Sequence, residues 1–225
     1  MKLLNIGGNY KVAKGDKLGV FKTAILHLAP ANLSGYETCR GRSKGCTIAC
    51  LNTSGRGKMN SVQIARVNKT KFFFEQPLEA KAQLYKELVS FMTSCKKNGL
   101  KPAARLNGTS DLDWYILCPD IFNLDIQYYD YTKVASKMRQ FLEGKLPKNY
   151  HLTFSRSESN QKKVDEIVKL GGNVAVVFNK RPRRYLDTIV YNGDKTDLRF
   201  LDPKNRIIGL TPKGRGKKDL TGFVL

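Results

Sequence analysis

Three of the five cysteines in the chain lie close together in sequence. Cys39, Cys46 and Cys50 fall within twelve residues and are spaced as C-x6-C-x3-C. Thiolates are the preferred ligands of zinc and of iron–sulfur clusters, so thiols this close can converge on one inorganic centre. Glycines and several cations lie between them, and positive surroundings lower the pKa of a thiol and favour the thiolate. The spacing therefore predicts a metal centre held by this segment.

The number of available ligands narrows the identity of the metal. Structural zinc takes four protein ligands, usually in paired C-x2–4-C elements, and only Cys46 and Cys50 have such a spacing. Cys95, at the end of a predicted helix, and Cys118, in an apolar connector, are expected to act as small core residues. Three thiolates without an evident fourth ligand fit a 4Fe-4S cluster whose fourth iron is open to a small ligand. We therefore favour a 4Fe-4S cluster, with zinc as the alternative.

Apolar runs indicate the elements that position this segment. Residues 20–29 read as a buried strand, and the Cys-rich loop at 32–58 follows it. Helical spacing of apolar residues predicts helices at 77–97, 134–142 and 160–170. Five further short strands are predicted, at 102–106, 126–129, 150–154, 173–178 and 206–210. Strands that alternate with helices indicate a parallel sheet with right-handed crossovers. We predict an α/β fold, a partial (β/α)6 TIM-like barrel with mostly parallel strands.

Composition indicates the class of protein to which the chain belongs and the kinds of location that suit it. A chain of 225 residues with 41% hydrophobic and 10% aromatic residues is expected to fold as one globular domain over 1–225, with a basic hairpin-like region at 180–201. No apolar run is long enough to cross a membrane or to act as a secretion signal. Five cysteines, an odd and clustered set, do not suggest a disulfide framework. We expect a cytoplasmic protein that does not contact membranes.

Polar residues begin abruptly where the predicted strands end. The carboxyl ends of parallel strands meet on one face, where ligands bind, so these residues are expected to share a site. The candidate catalytic residues are Asp130 and Lys133. The other candidates at these strand ends are Asn107, Gly108, Asp111, Ser155, Ser157, Glu158 and Asn179, and the resemblance described below implies cofactor binding there.

The charge balance points to a polyanionic partner. Forty Lys and Arg against nineteen Asp and Glu leave a net charge of +21. A surplus of this size attracts nucleic acid and speeds encounter with it. Two clusters are the expected phosphate contacts, and neither carries evident base-reading specificity. Their members are Arg181, Arg183 and Arg184, and Lys213, Arg215 and Lys217.

A three-cysteine loop after the first strand of a six-strand parallel half-barrel resembles the radical S-adenosylmethionine (SAM) superfamily. In that superfamily the open iron chelates the amino and carboxylate groups of SAM. The resemblance implies that the three clustered cysteines bind the cluster. It further implies that residues at 107, 108 and 111 contact the SAM amino group, and that residues at 155, 157 and 158 meet the ribose. The usual spacing there is C-x3-C-x2-C, which differs from the spacing in this chain.

Several motifs are also similar to a group of bacteriophage proteins called gene product eighty-eight. They run over most of the chain and include LHLAP, GCTIACLNTSGRG, RLNGTSD, YDYTK, NYHLTFSRSE and IIGLTPKG. This resemblance implies a phage product that acts in the cytoplasm of an infected bacterium. It implies no activity.

Two functions from different classes are consistent with these features. The first is an iron–sulfur protein of radical SAM-like fold, possible as a radical SAM-type enzyme, that acts on or binds nucleic acid or a nucleotide, with Asp130, Lys133 and Asn179 orienting the substrate. The second is a non-enzymatic, basic nucleic-acid-binding or host-takeover protein in which a cluster or a zinc only shapes the loop. A weaker alternative is a nuclease in which Asp111, Asp130 and Glu158 gather a divalent metal. The two histidines fall within predicted strands, so no histidine-based triad is expected.

Overall fold

The structure, a computed structural model, describes residues 1–7 and 15–225. Its strands are β1 (Leu4–Ile6), β2 (Phe21–Leu26), β3 (Lys101–Arg105), β4 (Gln127–Thr132), β5 (Tyr150–Ser155), β6 (Val174–Val177), β7 (Arg184–Tyr185), β8 (Thr188–Asn192) and β9 (Ile207–Leu210). Its α-helices with described bounds are α1 (Lys44–Ile48), α2 (Asn60–Glu75), α3 (Pro77–Lys97), α4 (Trp114–Leu117), α5 (Ala135–Leu142) and α6 (Gln161–Lys169). Short 3-10 helices lie at 51–53, 55–58, 119–123, 199–201 and 214–218.

The described strands form one sheet in the order β1-β2-β3-β4-β5-β6-β9-β8-β7. Pairing is parallel from β2 through to β8, and antiparallel only where β1 meets β2 and β7 meets β8. The sheet is open, with β1 and β7 at its edges. The prediction of an α/β fold with a mostly parallel sheet is therefore confirmed. The six predicted strands correspond to β2 to β6 and β9.

The two faces of the sheet carry different layers. From β2 to β6 each strand pairs with the next one along the chain, and right-handed crossovers then place the helices on one face. There Leu84 and Leu88 of α3 and Ile167 of α6 pack in a core with residues such as Leu152. On the other face Ala103 and Tyr129 pack with Leu198, from the segment that follows β8. This second face is thus covered by irregular chain, which leaves room for a cavity.

Helix α3 shows how the sequence sets an element's limits. Pro77 occupies its first turn, where no backbone donor is needed, and Gly99 follows its end with a φ of +67°. Its buried residues recur at helical spacing and include Leu84, Leu88 and Phe91. The prediction of a helix at 77–97 is confirmed.

Helix α2 was not predicted. Its fully buried residues are Lys69 and Thr70, so it lacks the apolar stripe from which a helix is predicted. Phe72 and Phe73 pack against the core only partly. The helix nevertheless positions two cations at the cavity described below.

The basic hairpin-like region predicted at 180–201 contains the antiparallel pair β7 and β8. Beyond β8 the chain turns back and buries Asp197 and Arg199 against the sheet. β9 then inserts between β6 and β8, which extends the parallel order by two strands.

Candidate functional site

A cavity of about 940 Å³ opens at the carboxyl ends of the parallel strands. Its wall includes His27 after β2, Asn107 after β3, Lys133 after β4 and Ser155 at the end of β5. The Cys-rich loop and the C-terminal segment, residues 210–224, provide further parts of the wall. Some of the strand-end residues expected to share a site, among them Asn107, Lys133 and Ser155, thus border one concave surface.

Cys39, Cys46 and Cys50 all line this cavity. Ser43 caps α1, since its Oγ accepts a hydrogen bond from the N–H of Cys46 at 3.1 Å. The carboxylate of Glu158 accepts from Ser43 Oγ at 2.8 Å and from the N–H of Gly45 at 2.7 Å. A Cβ at position 45 would clash with Thr221 and Glu158, so glycine is required there. These contacts fix the middle cysteine against the sheet.

The sulfur atoms of the other two cysteines accept backbone hydrogen bonds. The N–H of Ala31 donates to Cys39 Sγ at 3.5 Å, and the N–H of Asn52 donates to Cys50 Sγ at 3.5 Å. Hydrogen bonds to sulfur are among the interactions that tune iron–sulfur clusters. The donor set therefore fits thiolate ligands of such a cluster.

Burial opposes ionisation of these thiols. It raises the pKa of Cys39, and it raises the pKa of Cys50 to about 11, with negative charge on the neighbouring cysteines adding to the rise. The expectation that nearby cations would lower the pKa is therefore wrong for these two residues, because desolvation outweighs the charge of Lys133 near Cys50. A metal that binds here must displace protons from the thiols.

Spacing of the thiols bears on the kind of metal. Within residues 1–7 and 15–225, no three His, Cys, Asp or Glu side chains are grouped closely enough to hold one metal ion. A four-ligand zinc site is thus not preformed. In a four-iron cluster each thiolate binds a different iron atom, so the ligands stand further apart than those of one ion. The three thiols line one cavity, but the described residues form no preformed site for a single metal ion.

Asn107 organises the loop after β3. Its Oδ1 accepts hydrogen bonds from Ser110 Oγ, the N–H of Leu112 and Trp114 Nε1, at 2.9 to 3.1 Å. Its N–H and Nδ2 donate to the two carboxylate oxygens of Asp130 at 2.8 and 3.1 Å. The side chain is therefore fully engaged, and the loop presents its backbone and Gly108 to the cavity. Gly108 lies so close to β2 that a Cβ would be 2.7 Å from Leu26 O.

Asp130 is buried and is not among the residues that line the cavity. Besides Asn107, its carboxylate accepts the hydroxyl of Tyr150 at 3.0 Å. Burial raises the pKa of Asp130 to about 6, against the opposing charges of Arg105 and Lys137. Its observed contacts are those of a residue that positions the loop after β3.

Asp111 and Lys133 lie together at the cavity wall. One carboxylate oxygen of Asp111 accepts from Thr132 Oγ1 and from the N–H of Lys133, and the other accepts from the fully buried Lys137 Nζ at 3.1 Å. Lys133 Nζ donates to Ser155 Oγ at 2.7 Å and lies 5.5 Å from the centre of the Phe223 ring. Lys133 thus carries a positive charge at the cavity wall.

Three other candidate residues lie outside the cavity lining. Ser157 is buried, and its N–H donates to Asn160 Oδ1 at 2.7 Å. Glu158 points to the cysteine loop as described above. The N–H of Asn179 donates to the carbonyl of Leu225 at 2.6 Å, which ties β6 to the C-terminus. Of the residues assigned to the ribose, only Ser155 borders the cavity.

The two basic clusters differ in position. Lys213 and Lys217 line the cavity, and Arg215 is exposed beside them. The arginines of the other cluster are exposed and are not among the cavity-lining residues; they are Arg181, Arg183 and Arg184. A polyanion that contacts Lys213, Arg215 and Lys217 would therefore lie over the mouth of the cavity.

Several charged or imidazole side chains line the cavity although they were not predicted as site residues, among them His27, Arg66, Lys69, Arg105 and Asp197. His27 had been expected within the first strand, whereas β2 ends at Leu26 and His27 follows it in the cavity lining. The others lie on an unpredicted helix, inside a strand, or in a segment with no strand or helix pattern. For Arg66, Lys69 and Arg105 the positive charge was the one signal available, and it does not single them out because the chain has forty Lys and Arg.

The nuclease alternative does not agree with the structure. Asp111, Asp130 and Glu158 each accept hydrogen bonds from different partners. They form no common metal site, since no group of three metal-ligating side chains is present in the described chain.

Comparisons with known proteins agree with one of the two sequence resemblances. The family model for gene product 88 matches residues 2–225. No curated protein matches the chain, and no solved structure matches it. None of the described helices is long and apolar enough to cross a membrane. A family match over nearly the whole chain shows that this protein belongs to the gene product 88 family.

Proposed function

We propose that the protein is an iron–sulfur enzyme of radical SAM-like architecture that acts on nucleic acid or a nucleotide. The observation that carries this proposal is that Cys39, Cys46 and Cys50 line one cavity at the carboxyl ends of a parallel sheet. Partly buried thiols, with backbone N–H donors directed at two of the sulfurs, are suited to an iron–sulfur cluster.

The strand order supports the finer fold assignment, a partial (β/α)6 barrel. Five consecutive parallel strands, β2 to β6, follow the chain order without reversal, and β9 adds a sixth. A doubly wound sheet would reverse its order at a switch point, where its ligands bind. An unreversed order with helices on one face is typical of barrels, whose ligands bind at the carboxyl ends of the strands.

The cavity also has room for a cofactor beside the thiols. Its volume of about 940 Å³ lies at the upper end of the range of ligand pockets. Gly108 and Asp111 after β3 and Ser155 after β5 border it, at strand ends where the superfamily holds SAM. The side chains of Asn107, Ser157 and Glu158 are engaged elsewhere, so contacts to SAM at those positions would have to come from the backbone.

An iron–sulfur cluster, when bound, supplies single electrons, which in radical SAM enzymes go to SAM. The chain itself would bind and orient the reactants. Lys133, held by Ser155, offers a positive charge to an anionic group in the cavity. Asp130 holds the loop after β3 in place through its hydrogen bonds to Asn107, and would position that loop without contacting substrate. Lys213 and Lys217 at the cavity wall would attract a phosphate backbone.

The proposal is tested by anaerobic purification and reconstitution with iron and sulfide. We expect about three to four irons per chain and a visible sulfur-to-iron absorption that changes when SAM is added. Cys46→Ala should lose most of the iron, whereas Cys95→Ala should retain it, because Cys95 lies in the helix-side core. A colourless protein that carries one zinc would refute the proposal.

A second candidate function is non-enzymatic binding of nucleic acid, with the metal only shaping the loop. It is favoured by the exposed arginine cluster at 181, 183 and 184, which lies outside the cavity lining. A reconstituted, coloured protein that is indifferent to SAM and binds DNA or RNA as well after Cys46→Ala would favour this candidate. For both, we propose the cytoplasm of a phage-infected bacterium as the place of action.

A further inference from the structure

Basic residues dominate the cavity wall. Among the described residues that line it, eight are Lys or Arg and two are Asp. The acidic members are Asp111, which is bonded to Lys137, and Asp197, which is bonded to Arg105. The wall therefore carries positive charge that its own carboxylates do not balance.

Three of these cations gather around one histidine. We call His27, Arg66, Lys69 and Arg105 the cationic corner. Burial, with smaller contributions from the charges of Arg66, Arg105 and Lys69, lowers the pKa of His27 to about 3. The imidazole is thus neutral at pH 7, and all three cations lie near enough to act on it.

Two buried nitrogen atoms in this corner have no hydrogen-bond partner in the described chain: Arg66 Nε and Arg105 Nε. Arg105 is 8% exposed, and its Nη1 donates to Asp197 Oδ2 at 3.2 Å. Arg66 Nη1 donates to Asn52 Oδ1. A buried donor without a partner costs about 1–3 kcal/mol. These Nε atoms are enclosed by protein, so a ligand in the cavity would have to be bound by the terminal guanidinium nitrogens of the two cavity-lining arginines.

The charges of the corner favour a dianion. Arg66, Lys69 and Arg105 supply three positive charges, and Asp197 compensates one of them. Lys69 Nζ donates to the carbonyl of Leu3 at 2.7 Å. Because a carbonyl carries no net charge, this hydrogen bond does not balance the positive charge of Lys69. Glu87, whose charge also acts on Lys69, accepts from the backbone N–H groups of Leu3 and Leu4. Guanidinium groups bind phosphate through paired hydrogen bonds.

We infer that the cationic corner binds the phosphate group of a nucleotide or nucleic-acid substrate, through Arg66 and Arg105, with Lys69 as a supporting charge. Arg66 also lies near enough to Cys50 to interact with its charge. A substrate anchored here by its phosphate would extend into the cavity beside the thiols. The identification of the ligand as a substrate rests on the proposed function, whereas the phosphate site itself does not.

The site is tested by isothermal titration calorimetry of the full chain with inorganic phosphate, at constant ionic strength in chloride. We expect Arg66→Gln to weaken phosphate binding roughly tenfold or more, since one charge-assisted contact contributes about 1.5–3 kcal/mol. Lys162→Gln is the matched control, because Lys162 is an exposed cation on α6 and is not among the cavity-lining residues. Arg66→Lys should bind with intermediate affinity.

Two further comparisons separate the possible results. Binding should persist in Cys46→Ala, so a failed metal centre would leave the phosphate site standing. A nucleoside 5′-monophosphate that binds tighter than free phosphate, and loses that affinity in Arg66→Gln, would support a nucleotide ligand. Phosphate that binds no better than chloride would overturn the inference, as would an Arg66→Gln variant of correct fold with unchanged affinity.

Discussion

Two parts of the cavity wall treat buried polar groups in opposite ways. Where the chain leaves β3, Asn107 and the neighbouring Asp130 of β4 satisfy each other and five further groups. In the cationic corner, Arg66 and Arg105 each keep a buried nitrogen without a described partner. The first arrangement stabilises the fold, whereas the second leaves donors unpaired and gathers positive charge that a bound anion would balance. Sequence alone does not distinguish them, because both consist of ordinary polar residues beside strands.

The largest effect is expected in the satisfied loop. Asn107→Ala removes the partner of Trp114 Nε1, of the Leu112 N–H and of one Asp130 oxygen. The free energy of unfolding should fall by about 3–4 kcal/mol, because several buried groups lose their hydrogen bonds at once. Denaturant unfolding measures the change.

Asn123→Ala is the control for this substitution. Asn123 is exposed at the end of a 3-10 helix, so its truncation should change the free energy of unfolding by less than about 0.5 kcal/mol. If both variants lost the same stability, the comparison between the two parts of the wall would fail.

The dependence of stability on pH tests the same comparison, since Asp130 is the hydrogen-bond partner of Asn107 in the satisfied part of the wall. Its pKa is raised from 3.8 in the unfolded chain to about 6 in the fold, chiefly by burial. Its contribution to stability is therefore complete below the unfolded pKa and is lost as the pH rises through the folded pKa. Two pKa units correspond to up to about 3 kcal/mol.

Asp130→Asn has no carboxyl group to titrate at this position. The difference in free energy of unfolding between wild type and Asp130→Asn should shift by up to about 3 kcal/mol between roughly pH 4 and pH 7, in favour of the variant at the higher pH. Parallel stability curves for the two proteins would show that the Asp130 pKa is not raised.

The sequence predicts those features of the structure whose residues are adjacent in the chain. The six parallel strands are readable because each is a short apolar run, buried on both faces, that ends in polar residues. The cysteines are readable as a group because they share one loop. Glu158 shows the limit of such reasoning: its position after β5 was correct, but its side chain turns to Ser43 and Gly45. Position at a strand end does not give side-chain direction.

The cationic corner was unpredictable for a different reason. Its members are the residue that follows β2, two residues of α2 and the last residue of β3, so they are distant in sequence. Helix α2 buries Lys69 and Thr70 where an apolar stripe would be expected. Arg105 lies in a strand whose register pairs it with Ile25, an apolar residue. Only the folded chain brings these cations together.

The smallest stability effect, and the sharpest contrast with Asn107, is expected at Arg66. Without phosphate, Arg66→Gln should change the free energy of unfolding by no more than about 1 kcal/mol, because the lost bond to Asn52 is offset by relief of a desolvated cation. With phosphate present, wild type should gain thermal stability as the ligand concentration rises, and the variant should gain much less. Thermal melts of both proteins across a phosphate series measure this difference. A large loss of stability in phosphate-free buffer would instead make Arg66 a structural residue like Asn107, and the two parts of the wall would no longer differ in kind.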